Sequence, residues 1–286
     1  ATRGARGRGA VTGISMRMGY ADTPLGQVHY RSAGARDGTP LLLLHQTASS
    51  SAMFEPLMEA LGGEFWLLAP DTPGFGGTPR PAEQASIALY ARCMRGFLDA
   101  MSVSRCMVFG HHTGASIAVQ LAHDAPERVL RLALSGPTLL SPAQRSALPE
   151  SAPPVRLRED GGHLLEMWQR IRAKDGDAPL SLSQRETLLN LAAGGWYREA
   201  YEAVAAQDFA GQIAALRCAT LVFAGDQDLL HSSVEPSLAL LRKGRSAGIA
   251  GAGTYICERR TGEVAALLRR HFGEASESGE TSGEAI

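Results

Sequence analysis

The sequence predicts an α/β fold: a mostly parallel central sheet with helices on both faces and a block of helices inserted after one strand. Three observations carry this expectation. Short continuous apolar runs recur at Leu41–Leu44, Phe65–Ala69, Cys106–Phe109, Val129–Leu134 and Thr220–Ala224, the pattern of strands buried on both faces. Amphipathic segments at helical spacing lie between them, which implies right-handed crossovers joining parallel strands. From Pro137 to Ala215 the strand pattern stops and helical patterns take over.

The elements follow in order. Ile14, Met16, Met18 and Tyr20 alternate with Ser15, Arg17 and Gly19 as in a half-buried strand, and Asp22–Gly26 is a turn. Gln27–Arg31 alternates again, with Val28 and Tyr30 on one side and His29 on the polar side, which completes a β-hairpin. Ile87, Tyr90, Met94, Phe97 and Met101 form one helical stripe, and Val264, Leu267 and Leu268 belong to another. Within the inserted region, His163–Arg172, Arg185–Ala193 and Trp196–Ala206 read as helices, the second preceded by a candidate capping box of Ser183 and Glu186. The expected organisation is therefore a core of residues 14–136 and 216–273 with a helical cap over 137–215. Flexible tails are expected at 1–13, basic and Gly-rich, and at 274–286, acidic.

Composition limits the function classes. The 286 residues are 44% hydrophobic and 20% charged with a formal net charge of −1, so no global charge argues for nucleic acid or an anionic membrane surface. No apolar stretch approaches the roughly 18 residues that span a bilayer. Cys93, Cys106, Cys218 and Cys257 show no close pairing and read as packed thiols, and no secretory leader pattern is visible. The expectation is a soluble cytoplasmic protein with a small-molecule partner, no nucleic acid, no membrane and no cofactor, for which a homodimer is an open alternative.

The most informative stretch is MVFGHHTGAS, residues 107–116. An apolar strand meets a Gly-x-x-x-Gly turn and then small helix formers, the context of an elbow that projects its central residue at the strand tip. The central residue is His112. Gly110-His-His-Thr-Gly-Ala115 followed by Ala125-Pro-Glu-Arg128 resembles the nucleophile elbow of the α/β-hydrolase superfamily, in its cap-bearing branch. Four further segments support the resemblance, which covers roughly residues 14 to 273. Leu41-Leu-Leu-Leu-His-Gln46 resembles the strand ending in His-Gly that precedes an oxyanion loop. Asp71-Thr-Pro-Gly-Phe-Gly-Gly-Thr78 is similar to the family's Asp-x-x-Gly-x-Gly-x-Ser turn. Leu221-Val-Phe-Ala-Gly-Asp-Gln-Asp228 resembles the turn carrying the triad acid, and Gly251-Ala-Gly-Thr-Tyr255 the loop carrying the triad base.

The departures are specific. The family has Ser, Asp or Cys at the elbow centre where this chain has His112, and His at the base position where this chain has Thr254. Gln46 replaces a glycine; Asp228 alone matches the triad. An ordinary Ser–His–Asp relay is therefore excluded, and Ser116, inside the helix, does not replace the elbow residue. Imidazole remains suited to two roles, as a nucleophile or as a general base. His112, Asp228 and Thr254 are the candidate catalytic residues, with His112 oriented by Asp228 directly or through the Thr254 hydroxyl. The resemblance places the oxyanion donors at the N–H groups of Thr47 and Thr113. His45, Gln46, His111 and Trp196 are the candidate substrate-binding residues; His45 and His111 read equally as structural, and Trp196, Tyr197 and Tyr201 as packing for the cap. His45, His111 and His112 match no metal-ligand spacing, and no metal is expected. The leading expectation is a hydrolase of a small ester, lactone or C–C bonded carbonyl compound. A cofactor-independent lyase or isomerase and a non-catalytic binding protein are the alternatives.

Overall fold

The computed structural model describes residues 14–273; the two expected tails lie outside the described residues. Eight strands form one sheet in the order β1-β2-β4-β3-β5-β6-β7-β8. They are β1 (Arg17–Thr23), β2 (Gly26–Ala33), β3 (Thr39–Leu44), β4 (Phe65–Pro70), β5 (Cys106–His111), β6 (Val129–Ser135), β7 (Ala219–Gly225) and β8 (Gly244–Ile249). β1 and β2 form the antiparallel hairpin, β2 pairs antiparallel with β4, and every later pairing is parallel.

The two-sided burial of the central strands follows from the alternation of Cβ directions. Leu42, Leu44, Val108, Leu134 and Val222 belong to one apolar cluster, and Leu41, Leu43, Phe109, Ala133 and Phe223 to a second on the opposite face. Helices α1 (Glu55–Leu61), α2 (Ile87–Ala100) and α3 (Thr113–Asp124) alternate with the strands. The expected stripe of α2 is buried, with Tyr90, Met94 and Phe97 at 0% exposure. The cluster of Phe109 and Phe223 is closed by α1 and by the terminal helix, Thr261–Gly273.

Between β6 and β7 the chain forms only helices: α4 (Pro142–Glu150), α5 (Gly162–Arg172), α6 (Leu180–Ala193), α7 (Trp196–Ala206) and α8 (Phe209–Ala215). Three of its contacts tie this segment to the core, two to loops of the sheet and one to α3. The Trp196 indole donates to the Pro73 carbonyl at 2.8 Å, the Gln207 amide to the Ser116 carbonyl at 3.0 Å, and Ser49 Oγ to the Glu186 carboxylate at 2.9 Å. Glu186 is also paired with Arg185, which reaches Glu258.

One sequence expectation needs correction, and one strand carries no sequence signal. The capping box at Ser183 and Glu186 does not form, because α6 begins a turn earlier at Leu180. Both side chains are then internal: Ser183 accepts from Arg172 at 3.0 Å and Glu186 faces the sheet loops. A capping box does form at Ser141 and Gln144, opening α4. β8, in turn, gives no continuous apolar signal, since only Ile249 in Gly244–Ile249 is fully buried. As an edge strand it needs only one covered side.

The loop after β4 is fixed by Asp71. Its carboxylate accepts from Ser51 N–H at 2.6 Å, Gly77 N–H at 2.8 Å and the His29 ring at 2.7 Å. Burial alone would raise its pKa, but the His29 hydrogen bond, the His45 ring and these N–H groups outweigh it and hold the carboxyl at about 2, against an ordinary 3.8. A depressed carboxyl pKa stabilises the fold above the unfolded value and loses that contribution as pH falls through the folded one. Stability should therefore drop as pH falls from about 4 toward 2, by about 2.5 kcal/mol from this group. Asp71→Asn should flatten that segment of the profile in denaturant titrations and lower stability at neutral pH by a similar amount.

Candidate active site

Three neighbouring parallel strands, β5, β6 and β7, end side by side, and the residues just past their tips meet. His112 follows β5, Gly136 follows β6, and Asp228 lies in the turn after β7. His112 has φ 50° and ψ −112°, a left-handed conformation costly for a residue with a Cβ. It is fixed by its N–H to the Ser135 carbonyl at 2.9 Å and by its own carbonyl, which accepts from Ala115 and Ser116 at the start of α3. Gly114 is required for the close approach of α3 to β3, since a Cβ there would lie 1.9 Å from the Leu44 carbonyl oxygen.

The His112 ring turns toward β7, and its Nε2 lies 2.8 Å from Asp228 Oδ2. The carboxylate is 1% exposed and its other oxygen accepts from Leu230 N–H at 2.8 Å. Burial would raise the Asp228 pKa; the charge and hydrogen bond of His112 override it and hold the group well below the ordinary carboxylate range. Asp228 is thus ionised and only accepts, so Nε2 carries the proton and Nδ1 of a neutral ring keeps a free lone pair. The ring lies against the backbone of β6, where Gly136 has φ 60° and a Cβ would meet His112 Cδ2 at 2.3 Å. Gly136 carried no signal in the sequence, since only the placement of the imidazole shows why this position lacks a side chain.

His111 supports this arrangement from below. It is fully buried and stacks on His112 with centroids 4.1 Å apart. Its Nε2 donates to the Thr254 carbonyl at 2.9 Å, so Nδ1 accepts from Ser135 Oγ at 3.0 Å. Burial, reinforced by the adjacent His112, lowers its pKa to about 3 and keeps it neutral. His111 is therefore a support for the elbow and not a cavity residue, which corrects the substrate-binding expectation. Thr254, expected at the family's base position, meets neither His112 nor Asp228 through its hydroxyl; that hydroxyl donates to Gln46 Oε1 at 3.4 Å.

His45 is likewise buried away from the cavity. Its Nε2 accepts from Thr72 N–H at 2.9 Å and Nδ1 donates to the Gln46 carbonyl at 2.8 Å, joining the loop after β3 to the loop after β4. Burial dominates and lowers its pKa. Trp196 also departs from expectation. It is 2% exposed, bonded to Pro73 and covered by the Arg80 guanidinium at 4.3 Å, so it anchors α7 and does not line the cavity. Cys257 is fully buried, and burial pushes its thiol pKa well above 9.0.

A cavity of about 390 Å³ opens above His112. Its floor is polar: Gln46, Thr47, Thr113, Thr138, Gln227 and Thr254. Leu140, Leu148, Tyr201 and Val204 from the inserted helices form an apolar wall, and Arg170, Ala173 and Lys174 stand at one side. The N–H groups of Thr113 and Gly114 precede the first intrahelical bonds of α3, as at any helix start, and form an electropositive end next to His112. Tyr201 is desolvated, which raises its pKa well above 10 and keeps the phenol neutral. A larger groove, about 840 Å³, lies between β1 and β4 but holds arginines and apolar groups with no histidine or carboxylate. Among the described residues, no group of three or more His, Cys, Asp or Glu side chains converges as a metal site, and no helix is long and apolar enough to cross a membrane.

An eight-stranded, mostly parallel sheet with an elbow at the β5 tip and an acid after β7 is the architecture of an α/β-hydrolase. Residues 39–233 match the family described as the alpha/beta hydrolase fold, and the chain belongs to it. Among curated relatives, a haloalkane dehalogenase of Psychrobacter cryohalolentis is 32% identical over 119 residues, 40% of this chain and 38% of the relative. An uncharacterized hydrolase of Saccharomyces cerevisiae is 35% identical over 105 residues, 36% of each chain. An uncharacterized protein of Mycobacterium bovis is 33% identical over 105 residues, 37% of this chain and 30% of the relative. The matches thus span 30–38% of these relatives' lengths. Among solved structures, the enol-lactonase from Burkholderia xenovorans LB400 superposes with a TM-score of 0.78 at 19% identity, over 90% of this chain and 100% of that one. A hydrolase from Pseudomonas aeruginosa PA01 gives 0.77 at 22% identity, over 90% and 99%. At such identities the superpositions establish the fold.

The contact between Gly136 and the His112 ring gives a direct test. Gly136→Ala places a methyl group inside the ring's volume at a left-handed position and should cost about 1–3 kcal/mol. The crystal structure of this variant should show the His112–Asp228 hydrogen bond broken, while the sheet stays intact.

Proposed function

We propose that this protein is a hydrolase of small activated carbonyl substrates, esters or lactones foremost, in which His112 is the general base. The observation that carries the reading is the 2.8 Å hydrogen bond from Nε2 to the buried Asp228 carboxylate. It leaves Nδ1 as the basic nitrogen of a ring that lines the cavity. Water bound beside Nδ1 attacks the substrate carbonyl carbon while its proton passes to Nδ1. The new carbon–oxygen bond places negative charge on the carbonyl oxygen, to which the N–H groups of Thr47 and Thr113 donate hydrogen bonds. As the tetrahedral species collapses, the bond to the leaving oxygen breaks and the imidazolium returns the proton to it, yielding acid and alcohol. Asp228 stabilises the transient imidazolium, as the acid does in an ordinary triad. No acyl-enzyme forms on this route.

In this reading the helices of residues 137–215 act as the cap that shapes the cavity and lowers its water content, the core being 14–136 and 216–273. Thr254 contributes through its backbone carbonyl, which holds His111, and Gln46 lies between Thr254 and the oxyanion loop. A proton-transfer lyase or isomerase would use the same base, and one observation favours it as the second reading. The Tyr201 hydroxyl accepts from Tyr197 at 3.3 Å on the cavity wall, which leaves its own proton for a substrate.

Hydrolysis of 4-nitrophenyl acetate and of simple lactones is the decisive assay. His112→Ala should lower kcat/KM by about 10²–10⁴-fold, and Asp228→Asn should lower it strongly by releasing the ring. Rapid mixing should show no burst of nitrophenol, and fluorophosphonates should leave the protein unlabelled, Ser116 included. Equal rates for wild type and His112→Ala would refute the assignment.

A further inference from the structure

The cavity's charges point to a property of the substrate. No carboxylate side chain lines the 390 Å³ space, whereas two cations do, Arg170 near the end of α5 and Lys174 just after it. The two cations differ in what already holds them. Arg170 donates to Glu166 at 2.5 Å and to the Pro153 carbonyl at 2.9 Å. Its charge is therefore largely answered within the inserted helices. Lys174 has no carboxylate partner among the described residues. The carboxylate of the adjacent Asp175 is engaged elsewhere, 3.5 Å from Arg259 and accepting from the Asp177 N–H at 3.0 Å. The ammonium is instead placed over the Tyr197 ring at 5.9 Å, a loose contact that orients the side chain without neutralising it. Lys174 is exposed, as a group at the mouth of a cleft must be to meet a ligand from solvent. The same cavity also has an apolar lining, which includes Leu140, Leu148 and Val204. The cavity thus combines a histidine, apolar side chains and an unpaired cation in one lining.

We propose that the substrate carries a carboxylate in addition to its reacting carbonyl, and that Lys174 receives this carboxylate. The inference rests on the reading of the cavity as the substrate site. An ion pair at an exposed position contributes modestly, up to about a fivefold preference, and is screened by salt. Lys174 is then a specificity residue, distinct from the base. Arg170, already paired, supplies a positive background at the same side.

The test uses the full chain carrying His112→Ala, which prevents turnover, titrated calorimetrically with the monomethyl esters of succinate, glutarate and adipate and with the neutral dimethyl ester of each. At least one monoanion should bind about three- to fivefold more tightly than its dimethyl counterpart at low salt, with the preference shrinking as sodium chloride is raised. Lys174→Met should abolish the preference and Lys174→Arg should retain it. Equal binding of a monoanion and its neutral counterpart throughout the series, or a preference that survives Lys174→Met, overturns this inference and leaves the hydrolase reading standing. Absence of binding by every ester overturns both, because the cavity would then not be a substrate site. A preference for the anion together with equal ester-cleavage rates for wild type and His112→Ala would refute the base and keep the carboxylate site.

Discussion

The hydrogen bond between His112 Nε2 and Asp228 Oδ2 is the constraint on which the site depends. It spans 116 residues of sequence but only the width of β6, because the sheet places β5, β6 and β7 in adjacent positions. A buried carboxylate without a partner is expensive, and removing one member of such a pair typically costs about 3–5 kcal/mol. The imidazole must therefore stay in contact with Asp228, and the rest of the elbow is arranged to let it. The ring needs the space at Gly136, and the backbone needs the left-handed turn at His112. Each of these departures from ordinary geometry is local; together they form one arrangement.

The two departures that the sequence suggests, histidine at the elbow and threonine at residue 254, are linked in the structure through His111. In an ordinary triad the acid orients a base that projects from the loop after the last strand. Here Asp228 reaches across to the elbow instead. The loop still takes part, but through backbone: the Thr254 carbonyl accepts from His111, which stacks beneath His112. Because that acceptor is a carbonyl, it fixes the His111 tautomer without adding charge. The neutral His111 ring can then lie 4.1 Å from His112 without the repulsion that two imidazolium ions would suffer.

Much of this was legible in the residues, and the exceptions have physical reasons. The central strands announced themselves because burial on both faces forces unbroken apolar runs, as in Leu41–Leu44. The elbow was readable because a tight strand-to-helix turn demands glycines at fixed spacing, and Asp228 because the turn that carries it resembles the family's acid-bearing turn. β8 was not, since an edge strand covered on one side needs few apolar residues. Trp196 misled because a large aromatic in a cap suits a cavity wall or an anchor equally, and only its indole bond to Pro73 distinguishes them. The Ser183 and Glu186 pair satisfied a local capping pattern that tertiary contacts overrode, with Ser49 and Arg172 as competing partners. Gly136 and Lys174 left no trace, since a glycine after a strand and a lysine after a helix are both commonplace. Their significance lies in what faces them.

The strain at His112 bears on whether the site is active or vestigial. A left-handed, non-glycine residue costs on the order of 1–3 kcal/mol, and one charge-assisted hydrogen bond returns about 1.5–3 kcal/mol. The two terms nearly cancel, so the His112–Asp228 pair as a whole adds little net stability compared with an apolar replacement of both, although removing either member alone leaves the other uncompensated. Glycine would relieve the backbone outright, and a serine could keep the turn while filling less of the space beside Gly136. A scaffold maintained only for stability therefore has no energetic reason to place a large, titratable ring there, aligned on an ionised acid and open to a cavity. Those three properties are what proton transfer requires of a base: a fixed tautomer, a counter-charge for the protonated state, and access to the reacting atom. The near cancellation of cost and gain is thus an argument for chemistry at His112.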